Sequence, residues 1–278
     1  MAVRAGAEPF AVEGGPVGAL VIHGFTGSPQ SIRPWAAALA DAGLTVSAPR
    51  LPGHGTRWQD MAKTRWADWY GEVERSFEDL RSRCDQVFVC GLSMGGTLAL
   101  RLAEEHSDHL AGVIVVNASL GTDRADAKLL PLARLVVPTF PGIVDDIKAE
   151  GVHELGYDKL PLKPAYSMSK AWTLVRRDLG RIRVPLLAFR SRVDHVVPPI
   201  SGTYLLDGAR STEVRERILE NSYHVATLDE DAPKIFAESI DFIREHAGTA
   251  TGGAAGAAGA AGAAGAVRTT GDAAGAER

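Results

Sequence analysis

A serine lies between glycines in the segment Gly91-Leu92-Ser93-Met94-Gly95-Gly96, after the apolar run QVFVC and before a helical pattern. A sharp turn from a strand into a helix would project the hydroxyl of Ser93 from the edge of a sheet, and the glycines let neighbouring backbone approach. The positive end of the helix dipole would then face any oxyanion that forms there. Because Gly-x-Ser-x-Gly also recurs by chance, a glycine-rich turn with an incidental serine is the alternative. The strand and helix on either side favour Ser93 as a nucleophile.

A nucleophilic serine needs a base, and the base needs a carboxylate that orients it. Three histidines lie well downstream of Ser93, namely His195, His224 and His246. His246 ends the last helical pattern and is expected in solvent, whereas His195 is adjacent to Asp194, so that these two side chains diverge. His224 follows a strand pattern and precedes the final helix. The sequence therefore predicts His224 as the base.

The acid is expected at the same edge of the sheet as the serine and the histidine. Asp194 lies a few residues after the strand pattern at 184–189, whereas the rival Asp207 lies beyond a further helical pattern. Taken alone, Asp194 is equally explained as a turn residue and His224 as a loop histidine. Together they follow Ser93 in the order nucleophile, acid, base that this kind of strand–serine–helix turn shows in enzymes. The prediction is a catalytic triad of Ser93, Asp194 and His224.

A glycine-containing loop, His23-Gly24-Phe25-Thr26-Gly27, follows the first strand pattern at 17–22. Acyl transfer passes through a tetrahedral oxyanion, which two fixed N–H donors stabilise. The amide of Met94, directly after the nucleophile, is one predicted donor of this oxyanion hole, and the amide of Phe25 is the other. His23 is expected to brace the loop and not to act as a base. A tight turn with a structural histidine is the alternative interpretation.

Short apolar runs alternate with helical patterns between residues 17 and 247. Strands are predicted at 17–22, 44–48, 86–90, 112–116, 184–189 and 214–219, and helices at 34–42, 66–83, 95–106 and 233–246. Apolar runs without alternation are typical of parallel strands that are covered on both faces. The pattern predicts an α/β fold with one mostly parallel, doubly wound sheet, whose edge would bring the three triad residues together.

The composition divides the chain into three regions. Residues 1–16 form an N-terminal segment, residues 17–247 the α/β domain, and residues 248–278 a tail rich in Gly and Ala. The tail repeats Gly-Ala-Ala without an amphipathic face, so it is predicted to be disordered. A proline-rich segment at about 119–178 interrupts the alternation, which predicts an inserted cap, with an ordinary crossover as the alternative. The apolar stretch 129–137 within it is expected to form the wall of an acyl pocket, although a lid that touches lipid is the alternative.

The charge and the cysteines exclude several classes of protein. The 278 residues carry 30 Lys and Arg against 34 Asp and Glu, a net charge of −4. Without a basic excess, a nucleic-acid groove is not expected. Two cysteines, Cys84 and Cys90, are too few for a disulfide scaffold and lack the spacing of a zinc site. Because neither a secretory signal nor a membrane-spanning segment is recognisable, a cytoplasmic location is predicted.

Several strings between residues 17 and 246 are similar to those of a known family. They are HGFTGSP (23–29), PRLPGHGT (49–56), GLSMGG (91–96), VDHVVPP (193–199) and NSYHVATLD (221–229). In these strings the chain resembles the bacterial monoacylglycerol lipases and related small carboxylesterases of the α/β-hydrolase superfamily. The resemblance implies the α/β-hydrolase fold with an inserted cap, a triad of Ser93, Asp194 and His224, and an oxyanion hole formed by the amides of Phe25 and Met94.

The resemblance also implies a substrate. The family's cap carries a glutamate that contacts the glycerol head group, and the string ELGYDKLP (154–161) makes Glu154 the matching candidate. The expected reaction is hydrolysis of monoacylglycerol to glycerol and fatty acid through an acyl-enzyme, with no metal and no organic cofactor. The expected partner is a small lipid-like ester, without nucleic acid or stable membrane insertion but with a transient lipid contact through the cap. The oligomeric state stays open.

Two other kinds of function stay open. A general short- or medium-chain carboxylesterase, a thioesterase or a carbon–carbon bond hydrolase would use the same residues. A non-catalytic binding protein would keep the fold without the chemistry, although the full set of nucleophile, acid, base and oxyanion loop argues against it. Dehalogenases and epoxide hydrolases are disfavoured because they use an aspartate where this chain has Ser93.

Overall fold

The computed structural model describes residues 2–248. The predicted disordered tail at 248–278 therefore lies outside the described residues, apart from Gly248. Nine strands occur in the described residues: β1 (Phe10–Val12), β2 (Val17–Ile22), β3 (Thr45–Ala48), β4 (Gln86–Leu92), β5 (Gly112–Val116), β6 (Thr139–Pro141), β7 (Lys159–Pro161), β8 (Leu186–Ser191) and β9 (Val214–Leu219). The α-helices of the same residues are α1 (Arg33–Asp41), α2 (Trp58–Met61), α3 (Trp66–Arg81), α4 (Met94–His106), α5 (Leu130–Val136), α6 (Leu162–Asp178), α7 (Ile200–Gly208) and α8 (Ala232–His246).

Seven of these strands form one sheet in the order β1–β3–β2–β4–β5–β8–β9. All neighbours in this sheet are parallel except β1, which is antiparallel to β3. The predicted mostly parallel α/β sheet is confirmed. The strand order reverses between β2 and β4, and in open α/β sheets a crevice forms outside the carboxyl ends of the strands at such a point. The two glycine-containing segments of the sequence follow these two strands.

Helices cover both faces of the sheet, which explains why its central strands are continuously apolar. Every residue of β4 and β5 is buried. On one face α3 and α4 pack against the sheet through residues such as Trp69 and Leu98. On the other face α1 and α8 do so through residues such as Trp35 and Phe242. The fold is therefore doubly wound, as the apolar runs predict.

Three strands were not predicted from the sequence. These are the edge strand β1 and the separate antiparallel pair of β6 and β7. Each has only three residues, which is too short for a periodic pattern, and β1 and β6 lack a buried residue. One predicted boundary also moves: the strand expected at 184–189 is found as β8, two residues further along. Pro185 has no N–H to donate to a neighbouring strand, which is consistent with the later start.

The segment between β5 and β8 contains α5, the β6–β7 pair and α6. The C-terminal half of α6 belongs to the core, because Val175 is fully buried in the same cluster as the residues of α4. The predicted limits of the cap, about 119–178, stay a prediction. Among residues 2–248, no helix combines the length and apolarity that crossing a bilayer requires. The cytoplasmic location stays a prediction.

The interpretation of residues 129–137 as the wall of an acyl pocket is wrong. These residues form α5 and its flanks, and α5 contains no buried residue. Leu129, Leu132, Leu135 and Val136 are 62%, 70%, 65% and 82% exposed. These four apolar side chains, on α5 and directly before it, therefore face solvent and form an exposed apolar surface, which we call the α5 surface.

Candidate active site

Ser93 follows β4 directly, and its backbone lies in the left-handed region with a φ of 56°. A Cβ on Gly91 would lie 2.2 Å from the carbonyl oxygen of Gly95, and a Cβ on Gly95 would lie 2.1 Å from the carbonyl oxygen of Ile22. Because no side chain fits at these distances, both positions require glycine. α4 begins at Met94, directly after the serine. The segment is thus a sharp strand-to-helix turn that holds Ser93 at its apex.

The structure brings together the three residues that the sequence predicts as a triad. His224 Nε2 lies 2.9 Å from Ser93 Oγ, and His224 Nδ1 lies 2.8 Å from Asp194 Oδ2. The residues follow three strands of the sheet, β4, β8 and β9, at their carboxyl ends. Ser93 and His224 are buried, and the side chain of Asp194 is only 7% exposed. A hydroxyl, an imidazole and a carboxylate therefore form one continuous chain of hydrogen bonds.

The hydrogen bonds of Asp194 orient its carboxylate towards His224. Its Oδ1 accepts the backbone N–H groups of Val196 and Val197 at 2.8 and 2.7 Å, which leaves Oδ2 for the imidazole. Burial opposes ionisation, but the charge and hydrogen bond of His224 outweigh it and hold the pKa of Asp194 below its ordinary value. An ionised Asp194 favours the imidazole tautomer with its proton on Nδ1. Neutral His224 then presents an unprotonated Nε2 to Ser93.

The pKa of His224 reflects several charges. Burial alone would lower this pKa, because it penalises the imidazolium. The negative charges of Asp194, Glu154 and Asp146, together with the hydrogen bond to Asp194, outweigh burial, so the pKa of His224 lies above its ordinary value. The surroundings of His224 therefore favour a positive charge on the imidazole, which is the charge that a general base acquires when it takes a proton.

Asn117, which the sequence analysis did not single out, connects the loop of His224 to the sheet. It follows β5 with a φ of 47°. Its Nδ2 donates to the carbonyl oxygen of His224 at 2.8 Å, and its Oδ1 accepts the N–H of Ser191 at 2.8 Å. The one available signal was an asparagine directly after a buried strand, since asparagine tolerates the left-handed region. Asn117 anchors the base to two neighbouring strands.

The predicted oxyanion loop lies beside the serine. A Cβ on Gly24 would lie 3.3 Å from Ser93 Cβ, so this backbone passes close to Ser93. The imidazole of His23 donates from Nδ1 to the carbonyl oxygen of Gly24 at 2.9 Å and accepts the N–H of Leu51 on Nε2 at 3.1 Å. Burial lowers the pKa of His23 to about 4, so it is neutral and can both donate and accept. His23 therefore braces the loop that carries Phe25.

Glu154 lies beside the same loop, close to the triad. Its Oε1 would be 2.5 Å from a Cβ on Gly27, so the glycine leaves room for the carboxylate. Burial raises the pKa of Glu154 to about 7, while the nearby His224 opposes this rise. The backbone N–H of Glu154 donates to Asp145 Oδ1 at 2.5 Å. A partly buried carboxylate within electrostatic reach of His224 is able to accept hydrogen bonds from a hydroxylated ligand.

The rival residues of the sequence analysis have other partners. His195 Nδ1 lies 2.7 Å from Asp146 Oδ1 and not beside Ser93. His246, expected in solvent, is instead buried at 7% exposure, and its Nε2 lies 3.1 Å from Glu213 Oε2. The solvent expectation is wrong because His246 packs against Phe242, one turn earlier on the buried face of α8.

In the described residues, two separate clusters each bring two carboxylates and one histidine close enough together to hold a metal ion. They are Glu74, Glu105 and His106, and Glu213, Glu245 and His246. Carboxylates of both groups already pair with arginines: Glu105 pairs with Arg101, and both Glu213 and Glu245 pair with Arg215. Neither group lies among the residues of the triad.

The comparisons with known proteins agree with this geometry. The model of the family described as serine aminopeptidase, S33, matches residues 17–231. The thermostable monoacylglycerol lipase of Bacillus sp. (strain H-257) is 45% identical over 247 residues, which are 88% of this chain and 98% of that protein. The carboxylesterase of Bacillus subtilis (strain 168) is 25% identical over 242 residues, 86% of this chain and 96% of that protein.

A solved structure also matches. It comes from work on LipS and LipT, two metagenome-derived lipolytic enzymes, and has a TM-score of 0.86 at 43% identity, covering 88% of this chain and 100% of that chain. These relatives support ester hydrolysis. Because the family model spans most of the chain and the Bacillus lipase is similar over nearly its whole length, the chain belongs to the α/β-hydrolase family that this model describes.

Proposed function

We propose that the chain hydrolyses monoacylglycerols through an acyl-enzyme, with Ser93 as nucleophile, His224 as general base and acid, and Asp194 as the orienting carboxylate. The observation that carries the proposal is the chain of hydrogen bonds from Ser93 Oγ through His224 to Asp194, with contacts of 2.9 and 2.8 Å. Nucleophile–base and base–acid contacts of this length characterise serine catalysis.

The first half of the reaction acylates the serine. His224 Nε2 takes the proton of Ser93 Oγ while this oxygen attacks the ester carbonyl carbon, which gives a tetrahedral oxyanion and an imidazolium. Asp194 stabilises the imidazolium without taking its proton. The intermediate then collapses, and the departing glycerol oxygen takes the proton from His224. The acyl group remains on Ser93 as an ester.

The amides of Phe25 and Met94 are the proposed donors to the oxyanion. Met94 is the first residue of α4, so its N–H lies at the positive end of the helix dipole. A Cβ on Gly24 would lie 3.3 Å from Ser93 Cβ, and this closeness of the preceding residue supports the amide of Phe25 as the second donor. Removing one such donor typically lowers the rate by about 10²–10³-fold.

The second half of the reaction releases the acid. A water molecule gives one proton to His224 Nε2 while its oxygen attacks the acyl carbon. The second tetrahedral intermediate collapses, Ser93 Oγ recovers the proton from His224, and the fatty acid leaves. The two halves together consume one ester and one water, and no step needs a metal or an organic cofactor.

Monoacylglycerol is proposed as the substrate on two grounds. The 45% identical relative is a monoacylglycerol lipase. Glu154 supplies a partly buried carboxylate near His224, and it is the proposed acceptor for the glycerol hydroxyls. A glycerol ester would gain hydrogen bonds there that a simple alkyl ester lacks.

The α5 surface is the proposed place of a transient lipid contact. Its apolar side chains are more than half exposed, for example 70% at Leu132 and 82% at Val136. Burying such side chains in an acyl layer is favourable by roughly 1.5–3 kcal/mol each. A lipid aggregate is the source of a long-chain monoacylglycerol, so contact there would bring the enzyme to its substrate.

A substrate series tests the proposal. Purified protein and a Ser93→Ala variant are compared on monoacylglycerols of increasing chain length, short alkyl esters and acyl thioesters. We expect monoacylglycerols to give the highest kcat/KM and the variant to lose about 10⁶-fold in kcat. A preference for simple short esters would favour a general carboxylesterase, and activity that survives in Ser93→Ala would contradict the mechanism.

A further inference from the structure

Asp146, in the segment between β6 and β7, contacts both loops that carry the triad's base and acid. Its side chain is 9% exposed. Oδ2 accepts the backbone N–H of His224 at 3.1 Å and that of His195 at 3.2 Å, and Oδ1 lies 2.7 Å from His195 Nδ1. The carbonyl oxygen of Asp146 also accepts the N–H of Val225 at 3.1 Å. One residue of the insertion therefore joins the loop after β8 to the loop after β9.

These contacts complete a closed path of bonds and hydrogen bonds that runs through Asp146, His195, Asp194 and His224. His195 is covalently next to Asp194, and both His195 and His224 donate backbone N–H groups to Asp146. The ring of His195 also packs edge-on against Tyr223, the residue before the base, with 4.8 Å between ring centroids. Asp146 therefore holds the loops of Asp194 and His224 together, in addition to the hydrogen bond between the two side chains.

We propose that Asp146 is a positioning residue of the active site: it holds the backbones of His224 and His195 so that the imidazole stays aligned between Ser93 and Asp194. This inference rests on the proposed function. Without the carboxylate, two N–H groups that it now satisfies would lose their acceptor, and the two loops would relax. Misplacement of a catalytic group by about 1 Å can lower the rate by about 10²-fold.

The charge of Asp146 acts on the same imidazole. The charged groups that face His224 are Asp194 from the loop after β8, and Glu154 and Asp146 from the insertion. The basic side chain that faces Asp146 is that of His195. Each of the three carboxylates raises the pKa of His224. Removal of the Asp146 charge is therefore expected to lower that pKa.

The test replaces Asp146 with alanine, which removes both the acceptor and the charge. In Asp146→Ala we expect kcat to fall by about 10²-fold, KM to stay close to that of the wild type, and the acidic limb of the kcat/KM profile to move to lower pH. The limb moves because the base must be neutral to act, and a lower pKa keeps it neutral at lower pH. The matched control, Asp158→Ala, changes an exposed aspartate of the same insertion and is expected to behave as the wild type.

A second variant protects the test against a folding defect. His195→Ala removes a side chain that is 55% exposed but keeps the backbone N–H to Asp146. We expect a smaller fall in kcat, again without a change in KM. Wild-type kcat and an unmoved acidic limb in Asp146→Ala would overturn the inference. A loss of kcat/KM by the same factor at every pH, together with a lowered melting temperature, would also overturn it. Because Ser93→Ala is assayed beside these variants, activity that persists in it would mark failure of the proposed function instead.

Discussion

At the scale of single residues, Ser93 depends on two glycines that touch backbone carbonyl oxygens. The Cβ of an alanine at position 95 would lie 2.1 Å from the carbonyl oxygen of Ile22 and 2.7 Å from that of His23. Backbone atoms cannot rotate away from such a contact as a flexible side chain can. The helix after the serine must therefore shift if Gly95 is replaced, and the loop of the proposed oxyanion hole must shift with it.

Gly95→Ala is predicted to lower the free energy of unfolding by about 1–3 kcal/mol, the usual range for overpacking, and to lower kcat. The matched control is Gly71→Ala in α3, where the new Cβ would meet its nearest neighbour at an ordinary 3.7 Å. That change should raise the free energy of unfolding by about 0.5–1 kcal/mol, because alanine favours helix. Urea unfolding and initial rates measure both effects. Equal stabilities of the two variants would refute the contact argument.

Glu154 gives a prediction that joins binding to pH dependence. Its negative charge raises the pKa of His224, so Glu154→Gln is expected to move the acidic limb of kcat/KM to lower pH. The same change should raise KM for monoacylglycerols and leave KM for a short alkyl ester unchanged, since only glycerol hydroxyls need the carboxylate. Initial rates between pH 5 and 9 are the measurement. Glu150→Gln, at an exposed position nearby, is the control. An equal rise of KM for both esters in Glu154→Gln would show that Glu154 does not bind the head group.

The residues that the sequence predicted share a strong local signature, and those it missed do not. Ser93 sits in a glycine pattern, and Asp194 and His224 follow apolar runs in the expected order. Asn117 also follows an apolar run, but no neighbouring motif or residue order marks it, and Asp146 follows no apolar run. Asp146 reaches His224 across 78 positions of sequence, and only the folded insertion brings the two together. Long-range side-chain-to-backbone contacts of this kind leave no periodicity to recognise.

At the scale of elements, the strand ends assemble the site and the insertion covers it. The proposed nucleophile follows β4, the proposed acid follows β8 and the proposed base follows β9, while the loop proposed for the oxyanion hole follows β2. Parallel strands place all four at one edge, which is why strand positions, together with the glycine pattern and the residue order, were enough to predict the meeting of these residues. The apolar residues of α5 were predicted to line an acyl pocket but are exposed. An apolar stretch of nine residues does not reveal which neighbour, if any, covers it.

The α5 surface is predicted to bind lipid without taking part in chemistry. Leu132→Glu and Val136→Glu are expected to weaken binding to monoacylglycerol-containing phosphatidylcholine vesicles by about tenfold or more, given roughly 1.5–3 kcal/mol per buried apolar side chain. Activity on a soluble short ester should not change. Vesicle co-sedimentation and ester assays provide the two readouts.

Val12→Glu, on the edge strand β1, is the control for these variants, since Val12 is also exposed, at 37%. It is expected to leave vesicle binding unaltered. Equal binding by all three variants and the wild type would show that α5 does not meet the lipid.

At the scale of the whole molecule, the doubly wound sheet was predictable because its strands are buried on both faces. The six predicted strands all occur in the central sheet, and the four predicted helices flank it. The edge strand β1 and the β6–β7 pair were not predictable, since three residues are too few to show a strand pattern. The insertion was recognised because the alternation of strand and helix patterns is interrupted there. The helices and strands within it could therefore not be predicted from that alternation.

The central claim is that Ser93 is the nucleophile that His224 activates, and covalent labelling tests it most directly. The whole chain is treated with a fluorophosphonate, digested and mapped by mass spectrometry. One adduct on the peptide that contains Ser93, absent in Ser93→Ala and formed far more slowly in His224→Ala, is the predicted result. An unlabelled Ser93, or an adduct that forms equally fast without His224, would contradict it.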